Sequence, residues 1–471
     1  MESKKESFFK KNKKEIIVVV LAVLAFSLLF YFLFFKEKLP NSSESPNQTG
    51  KPVFNFGNLF NFFTSNGDKG EGLVENPDDT NFVDYYFESL IKVWDKPVAG
   101  YGFYDKVFTY KYTDSEGIEQ TSTSSKTILQ FVDAETGFIY EKDLMSPTST
   151  PVQVTTSSFP NTVRAYFMNE KEGGKNRVFF QFLGANNTIK TVSATIPTYY
   201  GSPAKLMNSL NFPDNIKNIV TSQDNTKLAY IVQKEKEVGG KTDTYTDWYL
   251  MEDAENSYGR RVYSSELSSW KLILSNIGEL FAQTTDTAYE NNSLYKVKTI
   301  KNTLGSLSQI YGNHNGMMFL IENNNLLTSI FTSSGIKLYK NITFDEKSFT
   351  DADLIPINFS TLVNKCVQSN TLNEQLIICS VPKEIVNYDA GLPDAWYQGM
   401  TTWEDDLYVM NAEYSNGHLL FDIRSDGQVE DIIDAKNLNI NSYKSHLGFI
   451  NKNDGSLWTL NIANILYLGG D

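Results

Sequence analysis

An apolar residue followed by Tyr or Trp returns along this 471-residue chain at a nearly constant interval. That interval restricts the fold more than any other feature of the sequence. The pairs are Ile139-Tyr140, Trp248-Tyr249, Leu294-Tyr295, Leu338-Tyr339, Leu407-Tyr408 and Leu457-Trp458, each within alternating small or polar and apolar positions. Tyr249 and Tyr295 lie 46 residues apart, Tyr295 and Tyr339 lie 44 apart, and Tyr408 and Trp458 lie 50 apart. A strand unit returning every ~40 to 50 residues predicts β-propeller blades of four strands each.

The pattern predicts an all-β single propeller, with seven four-stranded blades and a count bounded between six and eight. The first blade is expected from Val98 to Ser157, with residues 105–126 as a hairpin or loop on one rim. The inner strand of the sixth is expected at Leu362 to Val367, followed by an insertion from 381 to 405. The seventh has Asn441 to Tyr443, Leu447 to Asn451 and Ser456 to Ile462, and no clear fourth strand. Leu90 to Trp94 is expected to fill that place from the other end of the chain, which would remove an open edge prone to aggregation.

Before the propeller the chain divides into a Lys-rich tail (1–15), an apolar run (16–35) and a tether (36–80), with the propeller assigned to 81–471. Ile16 to Phe35 is 20 residues with one polar interruption, Ser27, and the phenol of Tyr31. A helix of that length rises about 30 Å, enough to span a bilayer core. The run ends in Phe34-Phe35-Lys36, a poor cleavage site, so an uncleaved transmembrane helix is expected rather than a signal peptide. Six Lys precede it and two follow. The positive-inside rule then puts the tail in the cytoplasm and the propeller outside the cell membrane. The tether is too polar to fold, although Phe54 to Phe63 within it is apolar enough to pack on the propeller, lie on the membrane or recruit a partner.

Net charge is −14. The first 38 residues hold eight Lys and four Glu, so 34 basic side chains face 52 acidic ones in the remainder. That balance repels a phosphate backbone, and no nucleic-acid partner is expected. Two cysteines and three isolated His (His314, His418, His446) make neither a disulfide scaffold nor a His-rich metal site. No cofactor is implied. There is no Gly-x-Ser-x-Gly elbow, P-loop, dinucleotide fingerprint or His-Glu-x-x-His.

The polar turn and strand from Ser222 to Tyr230 resemble the repeat of TolB-like and WD-repeat propellers. Lys96-Pro97-Val98-Ala99-Gly100, Thr136-Gly137-Phe138-Ile139-Tyr140, Lys365-Cys366-Val367 and Pro393-Asp394-Ala395-Trp396-Tyr397-Gln398-Gly399 follow an anchor and a tether in that order. The whole resembles membrane-anchored propeller proteins of the ultrasmall candidate-phyla (Patescibacteria-type) bacteria, over residues 80 to 462. The resemblance implies a cell-surface propeller and supplies no catalytic residues.

Three places could carry function. Cys366 and Cys379 fall on consecutive strands about a turn centred near residue 372. Opposed residues of such a pair lie within disulfide reach, and an extracytoplasmic site would preserve the bond; two buried thiols are the alternative. Trp396, Tyr397 and Trp403 in the long insertion would serve as a contact surface for a partner, or lie buried where the insertion folds over the rim. Glu404, Asp405 and Asp406 follow, either as a calcium or sugar site or as a solvated acidic face. Asn451-Lys452-Asn453-Asp454-Gly455 and Ser425-Asp426-Gly427 read as hairpin turns, since the first lacks the closing Glu of an EF-hand loop.

The function these features imply is binding or scaffolding of a protein or polysaccharide at the cell surface. The competing reading is a propeller enzyme, a glycosidase or lyase with acidic residues in the central channel. Two channel carboxylates beside an Arg or Tyr would favour the enzyme. A channel plugged by side chains would favour binding.

Overall fold

The computed structural model describes residues 90–463, apart from 114–116, 147, 170–175, 185–187, 200, 253–256, 285–286, 288–289, 301–302, 323–324, 333–334, 342–348, 371–374, 385–390, 412–415 and 425–430. The expected tail, transmembrane helix and tether, including Phe54 to Phe63, fall outside these residues, as does the Ser425 turn. Among the described residues no helix is long and apolar enough to cross a membrane.

The described chain forms seven four-stranded sheets, each antiparallel from strand to strand. Blade 1 holds Val98–Thr113, Glu119–Asp133, Ile139–Asp143 and Val152–Gln153, and blade 2 holds Thr162–Met168, Arg177–Leu183, Ile189–Thr195 and Met207–Asn211. Blade 3 holds Ile216–Thr221, Leu228–Val238, Lys241–Met251 and Arg260–Ser265, and blade 4 holds Lys271–Leu274, Leu280–Gln283, Asn291–Ile300 and Thr303–Asn315. Blade 5 holds Met318–Glu322, Asn325–Thr332, Gly335–Asn341 and Ile355–Pro356, and blade 6 holds Cys366–Asn370, Gln375–Pro382, Asp405–Asn411 and His418–Phe421. Blade 7 takes Ala435–Ile440, His446–Asn451 and Leu457–Asn461 from the C-terminal end and Leu90–Trp94 from the N-terminal end.

Every apolar-aromatic pair begins or lies within the third strand of its blade, and its first member is buried: Ile139, Trp248, Leu294, Leu338, Leu407 and Leu457. Side chains two apart on a strand share a face, so each blade has two apolar faces to cover. Blade 4 shows the consequence: Leu272 and Leu274 pack with blade 3, while Ile273 packs with blade 5. Seven such clusters join blade 1 to 2, 2 to 3 and onward to 7 with 1. This closed cycle makes the molecule a seven-bladed β-propeller.

The ring closes where Leu90 lies opposite Leu460, Ile91 opposite Thr459 and Lys92 opposite Trp458. Trp458 is buried, with its indole N–H on Ser456 Oγ at 2.8 Å, so it serves the core. Some boundaries differ from the sequence reading. Residues 105–126 extend the first two strands of blade 1 into a long hairpin. Val363–Lys365 is a 3-10 turn, and the inner strand of blade 6 begins only at Cys366. The inner strand of blade 7 is Ala435–Ile440, and Asn441 belongs to the turn after it.

Candidate functional site at the channel mouth

The first strand of each sheet lies innermost: first strands touch between blades 1 and 2, 2 and 3, 3 and 4, 4 and 5, and 6 and 7. All seven therefore begin on one face of the ring, called here the start face, and run to hairpin turns on the opposite, turn face. Loops between second and third strands also open on the start face. The insertion between Pro382 and Asp405 is one of them.

The described end of that insertion folds back as the short helix Asp394–Tyr397. The backbone N–H of Gln398 donates to Asp394 O at 2.9 Å, and Gly399 at φ +75° then ends the turn, as glycine does after a helix. Trp396 and Trp403 are each 3% exposed, and their rings stack at 5.8 Å. Neither presents a contact surface, because both rings are enclosed between the insertion and the start of blades 6 and 7. Only Tyr397, 40% exposed, faces outward. Its hydroxyl lies 3.2 Å from Asn364 Nδ2, 3.3 Å from Met318 Sδ and 3.5 Å from Lys271 Nζ. Those residues stand at the starts of blades 6, 5 and 4, so the helix overhangs that side of the channel mouth.

A buried ionic cluster fastens it there. Lys365 Nζ lies 2.6 Å from Asp405 Oδ2 and 2.5 Å from Asp434 Oδ1, and none of the three side chains is exposed. The ammonium also lies 5.3 Å from the Trp396 ring and 4.9 Å from the Trp403 ring. Asp434 accepts the Trp396 indole N–H at 2.9 Å and the Trp403 backbone N–H at 3.1 Å. Asp405 accepts Ala435 N–H at 2.7 Å and Ser380 Oγ at 3.2 Å. Burial pushes the Asp405 carboxyl up to about 6, opposed by Lys365 and reinforced by the charge of Asp434. Lys452 completes the group, 3.6 Å from Asp434 and donating to Thr401 O at 2.9 Å.

The acidic triplet is neither a solvated run nor a ligand cage. Glu404 and Asp406 both face Lys383, at 3.5 and 3.3 Å, and Arg424 adds a second contact to Glu404 at 3.1 Å. Among the described residues no group of acidic, His and Cys side chains is placed to hold a metal ion. Residues 451–455 form a tight turn, with Asp454 Oδ1 accepting Ser456 N–H at 2.9 Å and Gly455 at φ +75°. Cys366 and Cys379 face each other across the first two strands of blade 6 and form a disulfide.

The channel itself is crossed. Gln223, in the first turn of blade 3, donates through its side-chain amide to the backbone carbonyl of Gln368 in the inner strand of blade 6. Blades 3 and 6 are three steps apart around the ring, the largest separation seven blades allow, so the bond spans the axis. Two carboxylates lie near the turn-face end. Asp224 Oδ1 is taken up by its own turn, accepting Thr226 N–H at 3.0 Å and Ser222 Oγ at 2.6 Å. Glu322 is buried and accepts Asn276 N–H at 3.3 Å, and burial pushes its carboxyl up to about 7.

A second hollow, about 190 Å³, lies at the base of the blade 1 hairpin and is lined by Lys106, Lys126, Glu141, Asp143 and Tyr199. Its charges satisfy one another, with Lys126 2.9 Å from Asp143 and Lys106 3.8 Å from Glu141. It is smaller than the roughly 300 Å³ of an ordinary ligand pocket.

No protein-family model matches the chain. No curated protein matches it either. Among solved structures it is similar to the β-propeller domain of the trilobed protease from Pyrococcus furiosus, at 12% identity over 69% of this chain and 94% of that one, with a TM-score of 0.36. It is also similar to a puromycin-hydrolyzing peptidase of Mycobacterium tuberculosis, at 11% identity over 76% of this chain and 52% of that one, TM-score 0.41. The Cps50 (Swd1) β-propeller domain of Myceliophteria thermophila aligns at 10% identity over 76% of this chain and 100% of that one, TM-score 0.38. None of the three lends this chain a residue or an activity.

Proposed function

We propose that this chain is a binding propeller of the cell surface, held outside the membrane by the apolar run 16–35 and presenting its start face to a protein or polysaccharide. The observation that carries this reading is the Gln223–Gln368 bond across the channel. A substrate threading the axis would have to break it. Nearby, Asp224 and Glu322 are already engaged by backbone N–H groups, which weakens the competing glycosidase or lyase reading. The start face, by contrast, carries an insertion clamped in place with one aromatic ring left outward, the usual form of a contact residue on a rigid base.

The disulfide supports the location, since such bonds persist in oxidising compartments. The anchored form and the likeness to candidate-phyla surface propellers belong to the same proposal, as do the tail, tether and propeller boundaries. Its test is twofold. Protease added to intact cells is expected to digest the propeller and spare the N-terminal Lys-rich segment; the reverse pattern excludes the topology. A photocrosslinking residue at position 397 is expected to capture envelope material that one at Leu304, on the turn face, does not. Equal capture from both faces excludes the start face as the binding surface.

A further inference from the structure

The seven inner strands begin Val-Ala-Gly, Thr-Val-Arg, Ile-Lys-Asn, Lys-Leu-Ile, Met-Phe-Leu, Cys-Val-Gln and Ala-Lys-Asn. Four of them carry a basic residue in these three positions, Arg164, Lys217, Lys271 and Lys436, and none carries an acidic one. In a chain of net charge −14 this is the reverse of the overall balance. Because these positions ring one end of the channel, the bias becomes a positive collar at the start-face mouth. Arg164 and Lys217 are exposed, and Lys271 and Lys436 are half-buried. Among the described residues Arg164, Lys217 and Lys436 make no ion pair with a carboxylate, whereas Lys92, Lys190 and Lys383 on the rims do. Asp434, whose charge acts on Lys436, is held with Asp405 by Lys365 beneath the insertion.

We infer that this mouth binds an acidic polysaccharide, its carboxylates held by the collar and one sugar ring resting on Tyr397. The inference rests on the binding reading above and names its ligand class. Two features select a glycan. The ring of Tyr397 is exposed beside an ammonium, with Lys271 Nζ 5.4 Å from its centre, which pairs an apolar face with a cation as an acidic sugar requires. The cations also stand on four different blades, 2, 3, 4 and 7, so an extended polymer can meet several of them at once. Burial, followed by the charges of Lys452 and Arg164, pulls the Lys436 ammonium down, against the upward pull of Asp434. Lys436 thus sits among the charges of Lys452 and Arg164 with Asp434 opposing them, and a bound anion would add to that opposition. Long-range repulsion from the acidic remainder means that attraction acts only at close quarters.

The test uses the full-length protein in detergent, titrated with polygalacturonate, neutral dextran and poly-glutamate. Polygalacturonate is expected to bind, dextran not, and binding should weaken as salt is raised. Lys217→Gln with Lys436→Gln should weaken it about tenfold, Tyr397→Ala should weaken polygalacturonate more than poly-glutamate, and Lys111→Gln at the hairpin tip should leave it unchanged. Thermal melts check that the variants fold, and Lys217→Gln alone, at an exposed site, keeps the test open if the double variant does not. Equal binding of dextran, or indifference to the double variant, overturns the anionic ligand. Poly-glutamate binding equally, with Tyr397→Ala affecting both alike, overturns the glycan in favour of an acidic protein. Crosslinking at 397 without polygalacturonate binding overturns this inference and leaves the binding reading standing.

Discussion

The Lys365 ammonium meets the Asp434 carboxylate at 2.5 Å with neither side chain exposed, and so joins the approach to the inner strand of blade 6 to that of blade 7. A buried charge left alone in a protein is far more costly than a buried pair. Lys365→Met would leave Asp405 and Asp434 facing each other without their shared cation. The expected loss of stability is about 3 to 5 kcal/mol, read from denaturant midpoints at pH 7. Limited proteolysis should find a new cut within 391–404, because the same cluster holds Trp396 and Trp403. An unchanged midpoint would show that the cluster does not hold the insertion.

The Cys366–Cys379 bond closes a short loop, with a sequence separation of 13. By loop entropy such a link contributes about 3 kcal/mol. The double variant Cys366→Ser, Cys379→Ser is therefore expected to unfold earlier by that amount, and reductant should shift the parent protein but not the variant. Mass measurement after alkylation without reductant should find no free thiol. Alkylation at both positions in surface-exposed protein would exclude the bond.

The repeat period and the closing strand were legible because they follow from local alternation: Leu294, Leu338, Leu407 and Leu457 recur where each third strand must bury a side chain. The inner strand of blade 7 was not, since Asn437 at φ 54° and a register shift between Lys436 and Asn439 break its alternation. The site was less legible still. Lys365 reaches Asp434 across 69 residues and Gln223 reaches Gln368 across 145, and no spacing rule joins such distances. The insertion aromatics could be named as candidates, but their direction depended on which carboxylates lay beneath them. The collar alone left a readable trace, an apolar-basic pair such as Ile216-Lys217, Trp270-Lys271 or Ala435-Lys436 where strands begin.

Two buried titrating groups give stability opposite slopes with pH. Burial raises Glu322 to about 7 from 4.5, the Asn276 amide opposing it, so the folded chain keeps a proton that the unfolded chain has lost. Its contribution is full below pH 4.5 and is lost as pH rises to about 7, a cost of about 3 kcal/mol. Burial lowers His446 to about 4 from 6.5, so its contribution is present above pH 6.5 and is lost as pH falls toward 4. Glu322→Gln should therefore raise the urea midpoint at pH 8 and change it little at pH 4.5. His446→Gln should flatten the acid side alone. A Glu322→Gln curve parallel to that of the parent protein would show that this carboxyl titrates normally.

The closing strand carries the last prediction. Leu90–Trp94 covers the outer edge of Leu457–Asn461, and its Val93 is buried in the cluster between blades 7 and 1. A chain beginning at Lys96 would keep every other strand but expose a row of unpaired N–H and C=O groups along Leu457–Asn461. Open edges of this kind pair with other chains. The shortened protein is expected to melt earlier and to associate as its concentration rises, measured by light scattering after size exclusion. Adding a peptide of the sequence Leu90–Trp94, extended at both ends, should reverse part of the association by refilling the edge. A shortened chain that stays monomeric with an unchanged melting temperature would show that the ring does not depend on closure from its N-terminal side.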